Sequence, residues 1–153
     1  MEGLSDYQLF FKLNLVHRIL IKNVDREMAN QVGATSTQIA AIFYLLENDG
    51  CQLVDLSREL LQNKSAITTL VERMIKNGLL SKKPCTRDGR AYRLYLTAKG
   101  KTTGEAALPH VADYNRQLAE GFSPDELETL HSFFDKVMNR FGIPIDNYFK
   151  KKL

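Results

Sequence analysis

Between Lys64 and Lys101 the chain places ten lysines and arginines against two acids, Glu72 and Asp88, a local charge of +8. The other residues carry eleven basic side chains against sixteen acidic ones, or −5, so a net charge of +3 over 153 residues hides a basic block in an acidic chain. Such a block is the electrostatic footprint of a surface that meets phosphate, although a solvated basic face with no partner has the same composition. Within it, Lys64, Ser65, Thr68, Thr69, Arg73 and Lys76 combine short hydroxyls with cations. That mixture lets a helix settle in a major groove and bond phosphates at its rim. Farther on, Arg87, Asp88 and Arg90 fall in the turn of an alternating segment, where the arginines would reach a narrow minor groove and Asp88 would hold the Arg90 guanidinium by an ion pair. Arg93 would touch phosphate or solvent. Glu72 fits this surface least. It reads either as an ion-pair partner of Lys76 one turn away or as an acceptor from a cytosine amino group.

Other chemistries have weaker support. No GxGxxG, P-loop, HExxH or GxSxG pattern occurs. His17, His110 and His131 lack a second ligand at short spacing, so no metal and no cofactor are expected. Cys51 and Cys85 lack CxxC spacing and read as free thiols in a reducing compartment. An enzyme using one of them as nucleophile beside a histidine, or a thiol-based redox-sensing regulator using Cys85 among its basic neighbours, stays an alternative. No apolar run approaches the roughly 18 residues of a membrane span, and Met1 to Ser5 lacks a basic, apolar leader, so a cytoplasmic chain with no membrane partner is expected.

The elements that must position these side chains follow from caps and periodicity. Ser5-Asp6-Tyr7-Gln8 reads as a capping box ahead of Leu9, Leu13, Val16, Leu20 and Val24, predicting a helix from about Asp6 to Met28. Thr35-Ser36-Thr37-Gln38 opens a second helix through Ile39, Ile42, Phe43 and Leu46 that stops near Asn48-Asp49-Gly50. A short helix from Leu53 to Leu61 and a tight break capped by Asn63 lead to a fourth, in which Ile67, Leu70, Val71 and Met74 share a buried face, as in a helix-turn-helix. Leu79 to Cys85 and Arg90 to Thr97 read as strands of a hairpin, with Tyr92, Leu94 and Leu96 inward. Thr97 caps a fifth helix in which Gly100 and Gly104, one turn apart, permit close backbone approach. Ser123-Pro124-Asp125-Glu126 opens a sixth helix. It carries Leu127, Leu130, Phe133, Phe134, Val137, Met138 and Phe141, and Ile143, Ile145, Tyr148 and Phe149 follow. This apolar surface exceeds what a terminal helix hides in its own chain and points to a symmetric dimer.

The expected fold is therefore mainly α with a small β-hairpin, a winged helix-turn-helix over residues 35–100 and a helical dimerisation region over 5–30 and 101–153. The run Asp88-Gly89-Arg90, then Leu94-Tyr95-Leu96-Thr97 and Gly100, resembles the wing signature D-x-R-x-x-x-L-x-L-T-x-x-G of the MarR (multiple-antibiotic-resistance) regulators at each fixed position. Lys64 to Met74, with Asn77-Gly78-Leu79-Leu80, resembles the same family's recognition helix and its exit into the wing. Thr69 departs from the pattern, standing where many members carry a long polar residue, so no base preference carries over.

The resemblance implies a homodimeric, sequence-specific regulator of transcription, usually a repressor, on a pseudo-palindromic double-stranded operator. It also implies a small effector between the dimer helices and the DNA-binding lobe, where His17, Phe43 and Tyr44 would offer one polar and two aromatic contacts to a small aromatic acid. The family's peroxide sensors carry a reactive cysteine near the start of the first helix, and none lies there.

Overall fold

The computed structural model describes residues 4–87 and 91–142, with only the backbone for Leu4 to Tyr7. Six helices and a small antiparallel sheet follow in the order α1 (Leu4–Val32), α2 (Ser36–Glu47), β1 (Cys51–Gln52), α3 (Leu53–Glu59), α4 (Lys64–Lys76), β2 (Leu80–Pro84), β3 (Tyr92–Leu96), α5 (Ala98–Ala119) and α6 (Pro124–Phe141). This is the winged helix-turn-helix arrangement expected from the sequence. The side chains of the Ser5 capping box, the wing tip Asp88-Gly89-Arg90 and the tail with Ile143, Ile145, Tyr148 and Phe149 lie outside the described residues. No helix among the described residues is long and apolar enough to cross a membrane.

The helix starts are local chemistry. Thr35 accepts from the Gln38 amide at 3.3 Å while Gln38 Oε1 accepts from the Thr35 amide at 3.0 Å, closing the box at α2. Ser123 and Glu126 make the same exchange at α6, with Pro124 first in the helix. Thr97 Oγ1 accepts from the Gly100 amide at 3.0 Å and opens α5. Each pairing satisfies donors that the first turn leaves without partners.

The chain divides into two compact units, residues 1–112 and 113–153. In the first, Ile42, Leu45, Leu56, Ile67, Met74 and Leu94 are completely buried and form one core with their neighbours from α2, α3, α4 and the sheet. The glycines of α5 sit against this core. A Cβ on Gly100 would overlap the Leu79 carbonyl oxygen, and one on Gly104 would lie 2.6 Å from Ile42 Cγ2. In the second unit no described residue of α6 is buried, and Phe134 and Phe141 are exposed.

The structure differs from the expected elements in four places. α1 runs to Val32, past Met28. α3 ends at Glu59, two residues early, because Leu61 turns to φ +50° and Ser57 draws the chain back, donating to the Gln62 carbonyl at 2.6 Å. A third strand, β1, pairs Cys51 with Leu94 and Gln52 with Arg93, giving the order β1-β3-β2. Tyr92 is 43 % exposed because the core extends beneath Leu94 and Leu96 only. In the hairpin Pro84 faces Tyr92. The flanking Cys85–Ala91 bond places that pair between hydrogen-bonded rungs, so the missing proline N–H costs no ladder bond.

Leu61 is exposed, so its left-handed backbone brings little burial in return. That conformation costs an L-residue roughly 1–2 kcal/mol. Leu61→Gly is expected to stabilise the chain by about 1 kcal/mol after the added unfolded-state entropy of glycine. Denaturant unfolding of the two proteins checks this, and an unchanged midpoint would show that the turn is unstrained.

Candidate nucleic-acid interface

The fourth helix is placed by both its ends. Asn63 Oδ1 accepts from the Ala66 amide at 2.9 Å, and at the other end the Leu79 amide donates to the Met74 carbonyl at 2.9 Å. Ile67, Val71 and Met74 are buried, with Leu70 half-buried beside them. The 100° advance per residue then turns Lys64, Ser65, Thr69, Arg73 and Lys76 outward, and all five are exposed. Thr68 lies at the edge of this face, half-buried, its hydroxyl donating to the Lys64 carbonyl at 2.8 Å. Glu72 is exposed and, among the described residues, makes no ion pair with Lys76, which corrects the pairing expected one turn apart.

The wing adds a second cationic surface. Lys82 and Lys83 on β2 are exposed, each over an aromatic ring of β3: Lys82 Nζ is 5.0 Å from the Tyr92 centroid and Lys83 Nζ 4.9 Å from that of Tyr95. Successive strand residues face opposite ways, so the two lysines mark the two faces of the hairpin. Sequence reasoning counted both in the basic block without placing them in the site, although their position on an alternating strand was the available signal. Arg87 is exposed where the hairpin loop begins, and its partners Asp88 and Arg90 are outside the described residues. Arg93 is exposed, and its guanidinium donates one hydrogen bond within the protein, to the Gly50 carbonyl at 2.8 Å.

Residues proposed for other chemistry are scattered or inert. Cys51 is buried at the core edge, and its thiol is pushed up to about 11, first by burial and then by the Asp55 and Asp49 carboxylates. A thiol held protonated is a poor nucleophile, which weighs against it as a catalytic or sensing group. Because its folded pKa lies above the ordinary 9.0, the contribution of Cys51 to stability is complete below pH 9 and is lost as the pH rises toward about 11. Unfolding curves across that window are expected to fall more steeply for the parent than for Cys51→Ala. Parallel curves would remove the thiol as the cause. Cys85 is half-buried. Among the described residues no three His, Cys, Asp or Glu side chains gather as a metal site.

His17 stands exposed on α1, while Phe43 and Tyr44 are half-buried against the core. Burial raises the Tyr44 phenol above its usual value, with Cys51, Asp55 and Glu59 adding to the shift and Arg58 opposing it. A cleft of about 430 Å³ between α3, the start of α4 and β3 is lined by Leu53, Val54, Lys64, Ile67 and Tyr92 among others, and His17, Phe43 and Tyr44 are not in its wall.

Comparison with known proteins gives this surface a context. The MarR family model matches residues 32–91, which span α2 to the wing. The chain is 28 % identical over 120 residues to the uncharacterized HTH-type transcriptional regulator YsmB of Bacillus subtilis (strain 168), covering 78 % of this chain and 82 % of that one. It is 29 % identical over 133 residues to the transcriptional activatory protein BadR of Rhodopseudomonas palustris, covering 81 % and 73 %. A solved probable transcriptional regulator from Pseudomonas aeruginosa superposes with a TM-score of 0.71 at 29 % identity, over 84 % of this chain and 98 % of the other. Wing signature, recognition helix, fold and relatives agree: residues 32–91 match the MarR family model, and over most of its length the chain is similar to transcription regulators.

Proposed function

We propose that the protein acts as a homodimeric repressor on a pseudo-palindromic operator, with α4 in the major groove and the wing in the adjacent minor groove, and that a small aromatic acid releases it. The observation that carries this reading is the outward face of α4, where Lys64, Ser65, Thr69, Arg73 and Lys76 stand free of the core and share one unit with the exposed wing cations Lys82, Lys83 and Arg87. Dimerisation is supported by Phe10, Phe11, Leu15 and Ile19, which α1 leaves exposed, and by the exposed Phe134 and Phe141 of α6. Apolar surface of this extent is buried in a partner, and a twofold dimer sets two recognition helices on half-sites of matching symmetry. For release by an effector, the contacts assigned are the half-buried rings of Phe43 and Tyr44 and the exposed imidazole of His17.

Arg90 is the side chain assigned to the minor groove, with Asp88 orienting it. Arg90→Ala is expected to cost on the order of 1–3 kcal/mol of operator binding, and Asp88→Ala less, because the second change leaves the cation in place. Titration of a labelled duplex, selected by the protein from a random-sequence pool, measures both, with melting curves as the control for folding. Parent-like binding by Arg90→Ala would make the wing a structural element. A reporter behind the selected duplex distinguishes the regulatory sign, since loss of the protein should raise expression from a repressed promoter and lower it from an activated one.

A further inference from the structure

The wing is fastened to the end of α2 by contacts that have no counterpart in its periodicity. Gly50, at φ +84°, donates its N–H to the Leu94 carbonyl at 2.8 Å, and its own carbonyl accepts from Arg93 at 2.8 Å. One residue earlier, Asp49 Oδ1 accepts from the Leu96 amide at 2.8 Å. The β2–β3 bonds fall at Cys85–Ala91 and Leu79–Thr97, so by alternation the Leu96 amide faces the opposite edge of β3. β1 is only two residues long, and the Asp49 carboxylate stands where a longer strand would have paired. The Tyr95 ring closes over Gly50, where a Cβ would lie 3.1 Å from its Cε1, and Lys83 sits on the same ring.

We infer that Asp49 and Arg93 are positioning residues for DNA binding, which fix the angle of the wing on the lobe, and that Arg93 is not a phosphate contact. A two-stranded hairpin is marginal alone, and this one is held at its inner edge by two backbone pairings and these two side chains. β3 spans roughly 13 Å at the usual rise per residue, so a tilt of about 10° at its base carries the tip about 2 Å, enough to break a hydrogen bond to DNA. Lys82, Lys83 and Arg87 ride on that lever.

The sign of the charge separates positioning from attraction. Asp49 is acidic, so if it acted only through its field, removing it would tighten binding to a polyanion. As a latch, its removal weakens binding. Full-length variants are titrated with the duplex selected from the random-sequence pool over a series of salt concentrations. Asp49→Ala is expected to bind about ten-fold more weakly, the scale of one lost charge-assisted hydrogen bond. Asp49→Asn, whose amide oxygen still accepts, restores parent affinity. Arg93→Ala weakens binding by a similar factor and leaves the slope of log affinity against log salt unchanged. Hydrogen exchange at Leu96 quickens in Asp49→Ala while the amides of Leu45 and Met74 keep their protection.

Asp49→Ala binding as tightly as the parent or tighter overturns the proposal, as does core exchange as fast as that of Leu96. A salt slope shallower by about 1.8 in Arg93→Ala, one phosphate contact from each half-site, would make it a phosphate contact and overturn the proposal as well. The proposal rests on the wing reaching DNA, which Arg87→Ala tests separately. If that variant keeps both affinity and slope, the wing is not at the DNA and the latch loses its role with it.

Discussion

Gly100→Ala is expected to lower the melting temperature by several degrees, the largest stability loss from adding a single methyl group at a glycine of α5. The added Cβ would overlap the Leu79 carbonyl oxygen, and that oxygen cannot retreat freely because it accepts the Thr97 amide at 3.1 Å. The surrounding turn is pinned further, with the Thr97 hydroxyl donating to the Gly78 carbonyl at 2.6 Å and Lys99 Nζ to that of Asn77 at 2.8 Å. α5 would therefore have to move away from the end of the recognition helix. Overpacking of this kind costs roughly 1–3 kcal/mol and more against backbone, of which the better helix propensity of alanine returns about 1. A net loss of about 2 kcal/mol corresponds to roughly 4–8 °C in a chain of this size. Gly104→Ala should also destabilise, but by less: its obstacle, the Ile42 Cγ2 methyl at 2.6 Å, belongs to a fully buried β-branched side chain with little freedom, yet the overlap is smaller and does not involve backbone. Thermal unfolding of the two variants checks the order. Equal melting temperatures for Gly100→Ala and the parent would mean that α5 does not seat on Leu79.

The largest effect on binding should come from salt. Lys64, Arg73 and Lys76 on α4 and Lys82, Lys83 and Arg87 on the wing are exposed, and the proposed dimer would present each twice. Each phosphate neutralised releases condensed counterions, so the slope of log affinity against log salt is about −0.9 per contact. With six to ten contacts per dimer, affinity should fall by about 10³ to 10⁵ between roughly 50 and 200 mM salt. Fluorescence anisotropy of a labelled duplex over that range measures the slope. Replacing Lys64 or Arg73 by alanine should make it shallower by about two contacts per dimer, one from each half-site. A loss smaller than about ten-fold over the range would mean that the exposed cations do not carry the contact with DNA.

How far the sequence reaches depends on the span of the chemistry involved. Thr35, Asn63, Thr97 and Ser123 bond amides three residues away, so their caps are legible in four letters and each is present. The outward face of α4 was equally legible, since a repeat of 3.6 residues assigns Ile67, Val71 and Met74 to the core and leaves Ser65, Thr69 and Arg73 outside. What Gly100 and Gly104 approach was not legible, because the Leu79 carbonyl and Ile42 become neighbours only when α5 folds back. Nor was β1, since two residues carry no alternation and its partners Leu94 and Arg93 lie some forty residues on. The roles of Asp49 and Arg93 belong to the same class. Local propensity fixes which side chains share a helix face and where a helix begins. Which distant amide a carboxylate accepts, and whether a cation faces phosphate or the protein's own backbone, is decided by packing.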